Sequence, residues 1–319
     1  MGGILVTGVG GFIGSRLTER LLETGRPVTV LDDFSTGQER FLAEASKRPG
    51  FRLVRGSVLD RAALRGAMTG ASFVYHLSAN ADVRRGLERP FRDLEQNTLA
   101  TFGVLETMRE LGVKGLAFPS TGSVYGEPEI FPTPENAPFP VQTSLYGASK
   151  LACEGLIGAY AHGFGLDAWI FRMVSALGER YTHVHVLDFC RQLREHPERL
   201  ELLGDGRQRK AYLHVDDVVD AFLLALGKNS DPSPRIFNVC GDEEVTVNES
   251  ASWIAAELGL SPKVTHAGGV RGWPGDSPHI FLDAARLRAL GWSAKIPLRE
   301  AVARTVRWLT ANPRVLEAA

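Results

Sequence analysis

The feature that most constrains the fold is a regular alternation of short apolar runs and amphipathic segments through the first half of the chain. Apolar runs of strand length lie at residues 4–6, 28–31, 51–54, 73–77, 115–118 and 168–171. Segments with helical spacing, such as 11–24 and 97–111, lie between them. Strands that alternate with helices are typical of a parallel sheet covered by helices on both faces. We therefore predict an α/β fold with a doubly wound parallel sheet.

The regularity of this pattern falls after about residue 172. Helices are predicted near residues 186–195, 216–226, 248–258 and 298–310, with a glycine-rich segment at 203–208 and a long loop at 267–278. We predict two domains: residues 1–172, to which about 211–237 return, and residues 173–319. The second domain is expected to be smaller, mixed α/β, and to close over the ligand site of the first.

Composition narrows the class of protein. The chain has 319 residues, a formal net charge of −1 and 44% hydrophobic residues, which suits a sizeable core and offers no electrostatic footprint for nucleic acid or an anionic membrane. No apolar stretch is long enough to span a bilayer, and the first residues lack the charged part of a signal peptide. The cysteines, Cys153, Cys190 and Cys240, lie far apart and form no CxxC pair, so buried free thiols are expected. We expect a cytoplasmic protein.

The first predicted strand runs directly into a turn with the spacing Gly8-x-x-Gly11-x-x-Gly14. The first glycine allows a tight turn, the second lets the backbone approach a pyrophosphate, and the third lets the next helix pack closely on the sheet. The N-terminus of that helix favours phosphate. Asp32, at the end of the second predicted strand, can accept hydrogen bonds from an adenosine ribose and would repel a 2′-phosphate, while Asp33 could share the ribose or be solvated. The pattern predicts a Rossmann-type domain that binds NAD, with a plain glycine turn as the alternative.

A second group of residues indicates acid–base chemistry. Tyr146 and Lys150 are four residues apart, so they share one face of a helix. A lysine ammonium and a positive nicotinamide ring would lower the pKa of the tyrosine, which could then act as a base near neutral pH. Thr121 is expected just after the fifth strand, at the sheet edge where such folds bind ligands, where it would hold a substrate hydroxyl or keto oxygen. The alternative for the Tyr–Lys pair is an ordinary surface pair.

Taken together, the motifs resemble the extended short-chain dehydrogenase/reductase family, in its nucleotide-sugar epimerase and dehydratase branch. The matching motifs are TGVGGFIG at 7–14, HLSA at 76–79, STGSVYG at 120–126, YGASK at 146–150, FRMVSALG at 171–178, LLGDGRQRKAYLHVDD at 202–217 and WPGD at 273–276. They extend over nearly the whole chain. The resemblance implies that the first half binds NAD and that the second half binds the nucleoside diphosphate of a sugar. It also implies a homodimer that pairs the helices carrying Asn97 and Tyr146.

The resemblance further implies individual binding residues. Besides the glycines, Asp32, Asp33, Tyr146 and Lys150, the implied NAD-binding residues are Phe12, Ile13, Ser57, Val58, Leu77, Ser78, Ala79 and Asn97. The implied substrate-binding residues are Ser120, Ser123, Ser175, Arg180, His185, Arg209, Lys210, Tyr212, Arg271 and Asp276. Arg180 and His185 stand in a segment that could line the sugar pocket or cap a loop, and no carboxylate lies there at ligand spacing, so no metal site is expected.

Several positions depart from the family pattern. Ser57 replaces the usual acidic contact to adenine, and Ser175 stands where relatives have Asn near the diphosphate. The usual arginine of the phosphate segment is Lys210, which lacks the bidentate fork of arginine. We therefore expect the phosphate contacts to be reorganised around Arg209, Lys210 and Arg271. The exact sugar stays open.

The two residues after Thr121 limit which reactions the protein can catalyse. Relatives that eliminate water carry an Asp-Glu pair there, and decarboxylases usually carry Glu at the second position, whereas this chain has Gly122 and Ser123. An obvious general acid to expel a hydroxyl is therefore missing. We predict NAD-dependent epimerisation of a nucleotide sugar at C4 through a 4-keto intermediate, with uridine as the expected base. The alternatives are a decarboxylase, a ketoreductase or an epimerase at another carbon on the same scaffold, and, more distantly, a non-catalytic NAD(H)-sensing protein.

Overall fold

The computed structural model describes residues 2–139, 141–183, 185–228 and 231–317. The chain folds into two compact units. The first consists of Met1–Val124, Leu145–Arg172 and Phe222–Phe237, and the second of Tyr125–Ser144, Met173–Ala221 and Asn238–Ala319. No helix in the described ranges is long and apolar enough to cross a membrane.

A seven-stranded sheet forms the frame of the first unit. Its strands are β1 (Gly3–Thr7), β2 (Val28–Asp32), β3 (Phe51–Arg55), β4 (Ala71–His76), β5 (Gly115–Thr121), β6 (Asp167–Met173) and β10 (Arg235–Val239), in the order β10-β6-β5-β4-β1-β2-β3. The pairings β1–β2, β2–β3, β1–β4 and β4–β5 are parallel. The strand order reverses between β1 and β4, and in such sheets ligands bind at the carboxyl ends of the strands on either side of that point. This confirms the predicted α/β class and Rossmann-type sheet.

The helices of the first unit are α1 (Phe12–Leu22), α2 (Arg61–Met68), α3 (Pro90–Asp93), α4 (Ala100–Leu111), α5 (Leu145–Phe164) and the C-terminal part of α7 (Val215–Lys228). Of these, α1, α2 and α5 contact strands of the sheet directly. Asp60 begins α2 by accepting hydrogen bonds from the backbone N–H groups of Ala62 and Ala63. Gly112 ends α4 in the left-handed conformation that glycine adopts without strain. A core cluster joins α2, α4 and α5 to the central strands through fully buried side chains such as Leu116 and Ile157.

The second unit contains shorter strands and a further set of helices. The strands are β7 (Ser175–Leu177), β8 (Arg199–Leu202), β9 (Arg209–His214), β11 (Glu244–Thr246), β12 (Lys263–His266) and β13 (His279–Ile280). The helices are α6 (His185–Glu195), α8 (Val247–Glu257), α9 (Ala285–Ala289), α10 (Leu298–Ala311) and the short α11 (Pro313–Glu317). Strand β9 pairs with β11 in the antiparallel sense and with β7 and β13 in the parallel sense. Helix α10 packs against α6 and α8.

The two units do not contain the same segments of the chain as the two predicted domains. Residues 125–144, predicted in the first domain, belong to the second unit, where Tyr125 donates a hydrogen bond to Asn238 at 2.8 Å. The segment that returns to the first unit is Phe222–Phe237 and not 211–237, because β9 pairs with strands of the second unit. Long-range pairing of this kind leaves no signal in local hydrophobic periodicity.

Strand β5 is longer than the sequence indicates. The apolar run predicts a strand over 115–118, yet β5 continues through Pro119 to Thr121. Its ladder to β4 is formed by Gly115, Leu116 and Ala117. A proline cannot donate to a strand ladder, and Pro119 lies beyond this one. Thr121 is consequently the last residue of the strand instead of the first residue after it.

Candidate functional site

The glycine turn between β1 and α1 is packed too tightly for a side chain. Gly8 has a φ of +73°, and a Cβ built there would lie 2.6 Å from the backbone nitrogen of Ser78. A Cβ on Gly14 would lie 2.3 Å from the carbonyl oxygen of Gly8. Gly11 is the N-cap of α1 and brings no side chain to the first turn. The turn therefore leaves the helix N-terminus open to a phosphate, and a pyrophosphate fits this cradle.

The end of β2 carries the two aspartates predicted to contact ribose. Asp32 accepts hydrogen bonds from the N–H groups of Gly10 at 2.8 Å and Phe34 at 2.7 Å. Burial raises the pKa of this carboxyl above its usual range, and the two backbone bonds oppose that shift. A carboxylate has about four acceptor positions, so two stay open for ribose hydroxyls. Asp33 is exposed and accepts from the N–H of Ser35 at 2.9 Å.

A cavity of about 520 Å³ in the first unit reaches Asp33. Its lining includes Asp33, Ser35, Arg89 and Gln96. The predicted adenine contact lies in the same unit after β3, where the hydroxyl of Ser57 accepts from the N–H of Leu59 at 3.3 Å. Of the other residues predicted to bind NAD, Phe12 and Val58 are buried and Ile13, Leu77, Ser78 and Ala79 are half-buried.

The end of β4 is tied to the end of β1. Nδ1 of His76 lies 2.8 Å from Oγ1 of Thr7, and its Nε2 lies 3.2 Å from Oγ1 of Thr101. Complete burial lowers the pKa of His76 to about 3, and nearby Lys150 acts in the same direction. This histidine is therefore neutral and structural. The N–H of Ser78 donates to the same Thr7 hydroxyl at 3.2 Å, which holds the HLSA segment beside the glycine turn.

A π-helical turn places Asn97. The helix predicted over 97–111 begins earlier, as α3, and passes through the π turn Leu94–Leu99 before α4. π turns are frequent at functional sites because the extra residue redirects side chains. Asn97 is 1% exposed, accepts from the N–H of Asn80 at 2.8 Å and donates to the hydroxyl of Ser149 at 2.9 Å. The turn thus joins the segment after β4 to the beginning of α5.

The predicted catalytic residues come together at α5 and the end of β5. The Thr121 hydroxyl hydrogen-bonds the phenol of Tyr146. Burial raises the pKa of Tyr146 to about 12, and this hydrogen bond acts in the opposite direction. The hydroxyl oxygens of Thr121 and Ser123 lie 3.2 Å apart, and the N–H of Ser123 donates to the Thr121 oxygen at 3.1 Å. Thr121, Ser123 and Tyr146 therefore form one connected group.

Lys150 lies one helical turn beyond Tyr146 and is 4% exposed. Its Nζ lies 3.9 Å from the ring centroid of Phe118, in the geometry of a cation–π contact. Burial lowers the pKa of Lys150 to about 8, while Cys153 and Glu154 oppose the shift. A lysine this deeply buried does not belong to an ordinary surface pair, which was the alternative for Tyr146 and Lys150.

Ser120 does not belong to the connected group of Thr121, Ser123 and Tyr146. It is 4% exposed, and its hydroxyl donates to Glu154 at 2.5 Å inside the first unit, so it is not available as the substrate contact that the resemblance implied. Glu154 in turn accepts from Arg172, with Nη2 to Oε2 at 2.7 Å. Sequence reasoning missed both charged residues. The available signal was a single arginine inside the apolar strand β6.

The second unit brings three of its predicted substrate residues together. Nζ of Lys210 lies 2.8 Å from Oδ1 of Asp276 and also donates to the carbonyl of Ser277. Arg271 donates to the backbone carbonyl of Asp276 at 2.5 Å and pairs with Glu127. Burial lowers the pKa of Lys210 from its usual range, and Asp276 opposes the shift. Two cations and one buried carboxylate therefore organise the loop 267–278.

The other predicted substrate residues of this unit lie apart from that cluster. Arg209 is exposed and pairs with Glu244. Neighbouring residues of a strand point to opposite faces, so Arg209 and Lys210 cannot share a phosphate contact. His185 opens α6, with Nε2 3.0 Å from the hydroxyl of Ser250, and its ring packs 4.7 Å from that of Tyr212. Ser175 is exposed at the start of β7, and Arg180 has a φ of +73°.

Proteins of known activity resemble this chain in sequence and in structure. The sequence profile of the NAD dependent epimerase/dehydratase family matches residues 4–240. UDP-glucose 4-epimerase from Mycolicibacterium smegmatis is 33% identical over 95% of this chain and 97% of its own. The structure of UDP-glucose 4-epimerase from Thermotoga maritima with UDP-glucose is similar, with a TM-score of 0.88 and 30% identity, covering 98% of this chain and 99% of that chain. The UDP-glucose 4-epimerase of Thermus thermophilus in complex with NAD has a TM-score of 0.85 and 33% identity, covering 96% and 98%. The chain belongs to the NAD-dependent epimerase/dehydratase family of enzymes.

Proposed function

We propose that the protein is an NAD-dependent epimerase that inverts C4 of a UDP-sugar through a 4-keto intermediate. The observation that carries the proposal is the connected group of Thr121 and Tyr146 beside buried Lys150, in which Gly122 and Ser123 follow the threonine in place of carboxylates. A base at one hydroxyl is enough for oxidation and reduction at one carbon, whereas elimination needs a general acid as well.

In this reaction Tyr146, Thr121 and Lys150 have different roles. Tyr146 takes the proton of the sugar 4-hydroxyl, and Thr121 orients that oxygen and stabilises the phenolate by its hydrogen bond. Lys150 keeps a positive charge close to the phenolate. The glycine turn, Asp32 and the Asn97 segment would hold NAD, which would supply the hydride acceptor for C4 and the hydride donor for the return step. When the ketone is reduced on its other face, Tyr146 returns the proton to O4.

The first test is conversion of C4-deuterated UDP-glucose followed by NMR. We expect UDP-galactose with the deuterium retained at C4 and no net formation of NADH. Net NADH formation would favour a dehydrogenase or reductase, and loss of CO₂ from UDP-glucuronate would favour a decarboxylase. Bound NAD(H) without turnover of UDP-glucose, UDP-glucuronate or UDP-N-acetylglucosamine would favour an NAD(H)-sensing protein.

We propose that Lys210 and Arg271 hold the diphosphate of the substrate, with Asp276 orienting them. Lys210→Met should raise KM for the UDP-sugar about tenfold to a hundredfold with a smaller change in kcat, since a charge-assisted contact contributes about 1.5–3 kcal/mol. The matched control is Lys295→Met. That lysine also pairs with an aspartate of the second unit, Asp220 at 2.7 Å, but is 71% exposed. Equal effects of the two substitutions on KM would contradict the assignment.

We also propose a homodimer in a cytoplasmic setting. Large apolar side chains are exposed on the segment from α3 to α4 and at the start of α5, namely Phe91, Leu94, Leu99, Phe102 and Leu145. Contiguous exposed apolar side chains are typical of protein interfaces. The three free cysteines are buried, as suits a reducing compartment. Sedimentation velocity should give twice the 34.8 kDa chain mass, and a monomer at micromolar concentration would contradict the dimer.

A further inference from the structure

A charged pair is buried in the first unit between the catalytic helix α5 and strand β6. The side chains of Glu154 and Arg172 are 5% and 2% exposed. The guanidinium contacts both carboxylate oxygens, with Nε 3.1 Å from Oε1 and from Oε2, and Nη2 2.7 Å from Oε2. A buried ion pair contributes little net stability compared with apolar side chains of the same volume, because both charges lose their hydration. The other contacts of the pair therefore indicate its role.

The carboxylate of Glu154 also accepts a hydrogen bond from the hydroxyl of Ser120, at 2.5 Å. Ser120 directly precedes Thr121, and both lie in the part of β5 beyond the ladder to β4. On its other edge β5 pairs with β6, so beyond Ala117 the strand has a ladder partner on one edge instead of two. The side-chain bond from Ser120 to Glu154 therefore anchors the backbone that carries Thr121.

Glu154 also lies one helical turn beyond Lys150. The ionisable groups around the lysine come from three elements: Tyr146, Cys153 and Glu154 on α5, His76 on β4, and Arg172 on β6, which acts through Glu154. His76 is neutral, and burial raises the pKa of the Tyr146 phenol and of the Cys153 thiol. Among these groups, the charges that remain are the Glu154 carboxylate and its arginine. The carboxylate favours the ammonium form of Lys150.

We propose that Glu154, held in place by Arg172, is a positioning residue of the active site: it fixes Ser120 and thereby Thr121, and it keeps a negative charge behind Lys150. This inference rests on the proposed roles of Tyr146, Lys150 and Thr121. It concerns the arrangement of these groups and does not depend on which sugar is bound.

Ser120→Ala tests the first part, because it removes the link to β5 and leaves the Glu154–Arg172 pair intact. We expect kcat to fall about tenfold with KM nearly unchanged, since misplacement of a catalytic group acts on the chemical step. The alkaline limit of activity should stay in place. The control is Thr107→Val, which removes another buried hydroxyl, one that donates to Gly103 at 2.8 Å within α4. An unchanged kcat in Ser120→Ala would overturn the positional role.

Glu154→Gln tests the second part. Loss of the negative charge should lower the pKa of Lys150, so activity should be lost on the alkaline side about one pH unit earlier than in the parent enzyme. Because this variant leaves Arg172 without its carboxylate and could fold poorly, the double variant Glu154→Met/Arg172→Met is made beside it. Replacing both charges by apolar side chains keeps such cores folded. A double variant with the parent kcat and the parent pH profile would overturn the proposal and leave a purely structural pair.

A readout without substrate separates this inference from the proposed function. The tyrosinate absorbance of the NAD-bound protein is titrated, and the Tyr146→Phe spectrum in the same background is subtracted. We expect phenolate formation at higher pH in Ser120→Ala than in the parent, because displacement of Thr121 weakens its hydrogen bond to the phenol, and no change in Thr107→Val. An unshifted titration in Ser120→Ala would contradict the positioning role even if epimerase activity were found. A shifted titration without epimerase activity would uphold it and send the search to another substrate.

Discussion

Replacing Tyr146 by phenylalanine is expected to lower kcat about 10²- to 10⁴-fold and to leave NAD bound. The substitution removes one oxygen from a half-buried ring, so the fold and the glycine turn have no reason to change. It removes the group that Thr121 positions to exchange a proton with a sugar hydroxyl, and general base catalysis contributes this range of rate. The measurements are steady-state conversion of the UDP-sugar and the quantity of nucleotide released from denatured protein.

Tyr160→Phe is the matched control for that substitution. Tyr160 lies on the same helix, is 9% exposed and donates to Glu106 at 2.5 Å, away from Thr121. It should keep the parent kcat and lose only the stability of one hydrogen bond, about 1–3 kcal/mol. If Tyr146→Phe retained more than a tenth of the parent rate, another base would have to be sought among the residues around Thr121.

Replacing Gly14 by alanine is expected to reduce NAD affinity about tenfold to a hundredfold. The added Cβ would lie 2.3 Å from the carbonyl oxygen of Gly8 and 2.9 Å from Cα of Val9, and both atoms are backbone. The turn must therefore shift, which costs about 1–3 kcal/mol in a packed site. Calorimetric titration of nucleotide-free protein with NAD measures the loss. Circular dichroism checks that the sheet remains.

The control for Gly14 is Gly66, an exposed glycine inside α2. A Cβ there meets no atom within 4 Å, and its φ is not positive. Gly66→Ala should leave NAD affinity unchanged and raise the free energy of unfolding by about 0.5–1 kcal/mol, because alanine loses less backbone entropy in a helix. Equal NAD affinities in Gly14→Ala and the parent would show that the close approach of α1 to the turn has no part in cofactor binding.

The sequence is informative where a local pattern has one structural solution. The glycine spacing and the Tyr–Lys spacing both depend on contacts within a few residues; the structure has a tight turn at the glycines and places Tyr146 and Lys150 on one helix. The strand and helix alternation predicts the sheet for the same reason. Because side chains alternate between the two faces of a strand, the sequence could also have placed Arg209 and Lys210 on opposite faces.

The missed features depend on contacts between distant parts of the chain. Ser120 was expected to meet substrate, but its partner Glu154 lies 34 positions away, and only the tertiary structure brings the two together. The predicted β5 is too short, because the apolar run ends at Phe118 while the strand continues past its ladder to β4. The π turn that buries Asn97 has no recognisable signal in hydrophobic spacing.

The buried thiols can report local opening of the structure. Cys153 of the first unit lies on α5 beside the π turn, with its sulfur 3.1 Å from the carbonyl oxygen of Ser149 and 3.3 Å from that of Asn97. Cys190 and Cys240 are buried in the second unit. A thiol reagent reaches such a sulfur only during a transient opening, so its rate of modification reports the opening free energy of the surrounding structure. Each unit thus carries its own reporter, and NAD bound in the first should slow the labelling of Cys153.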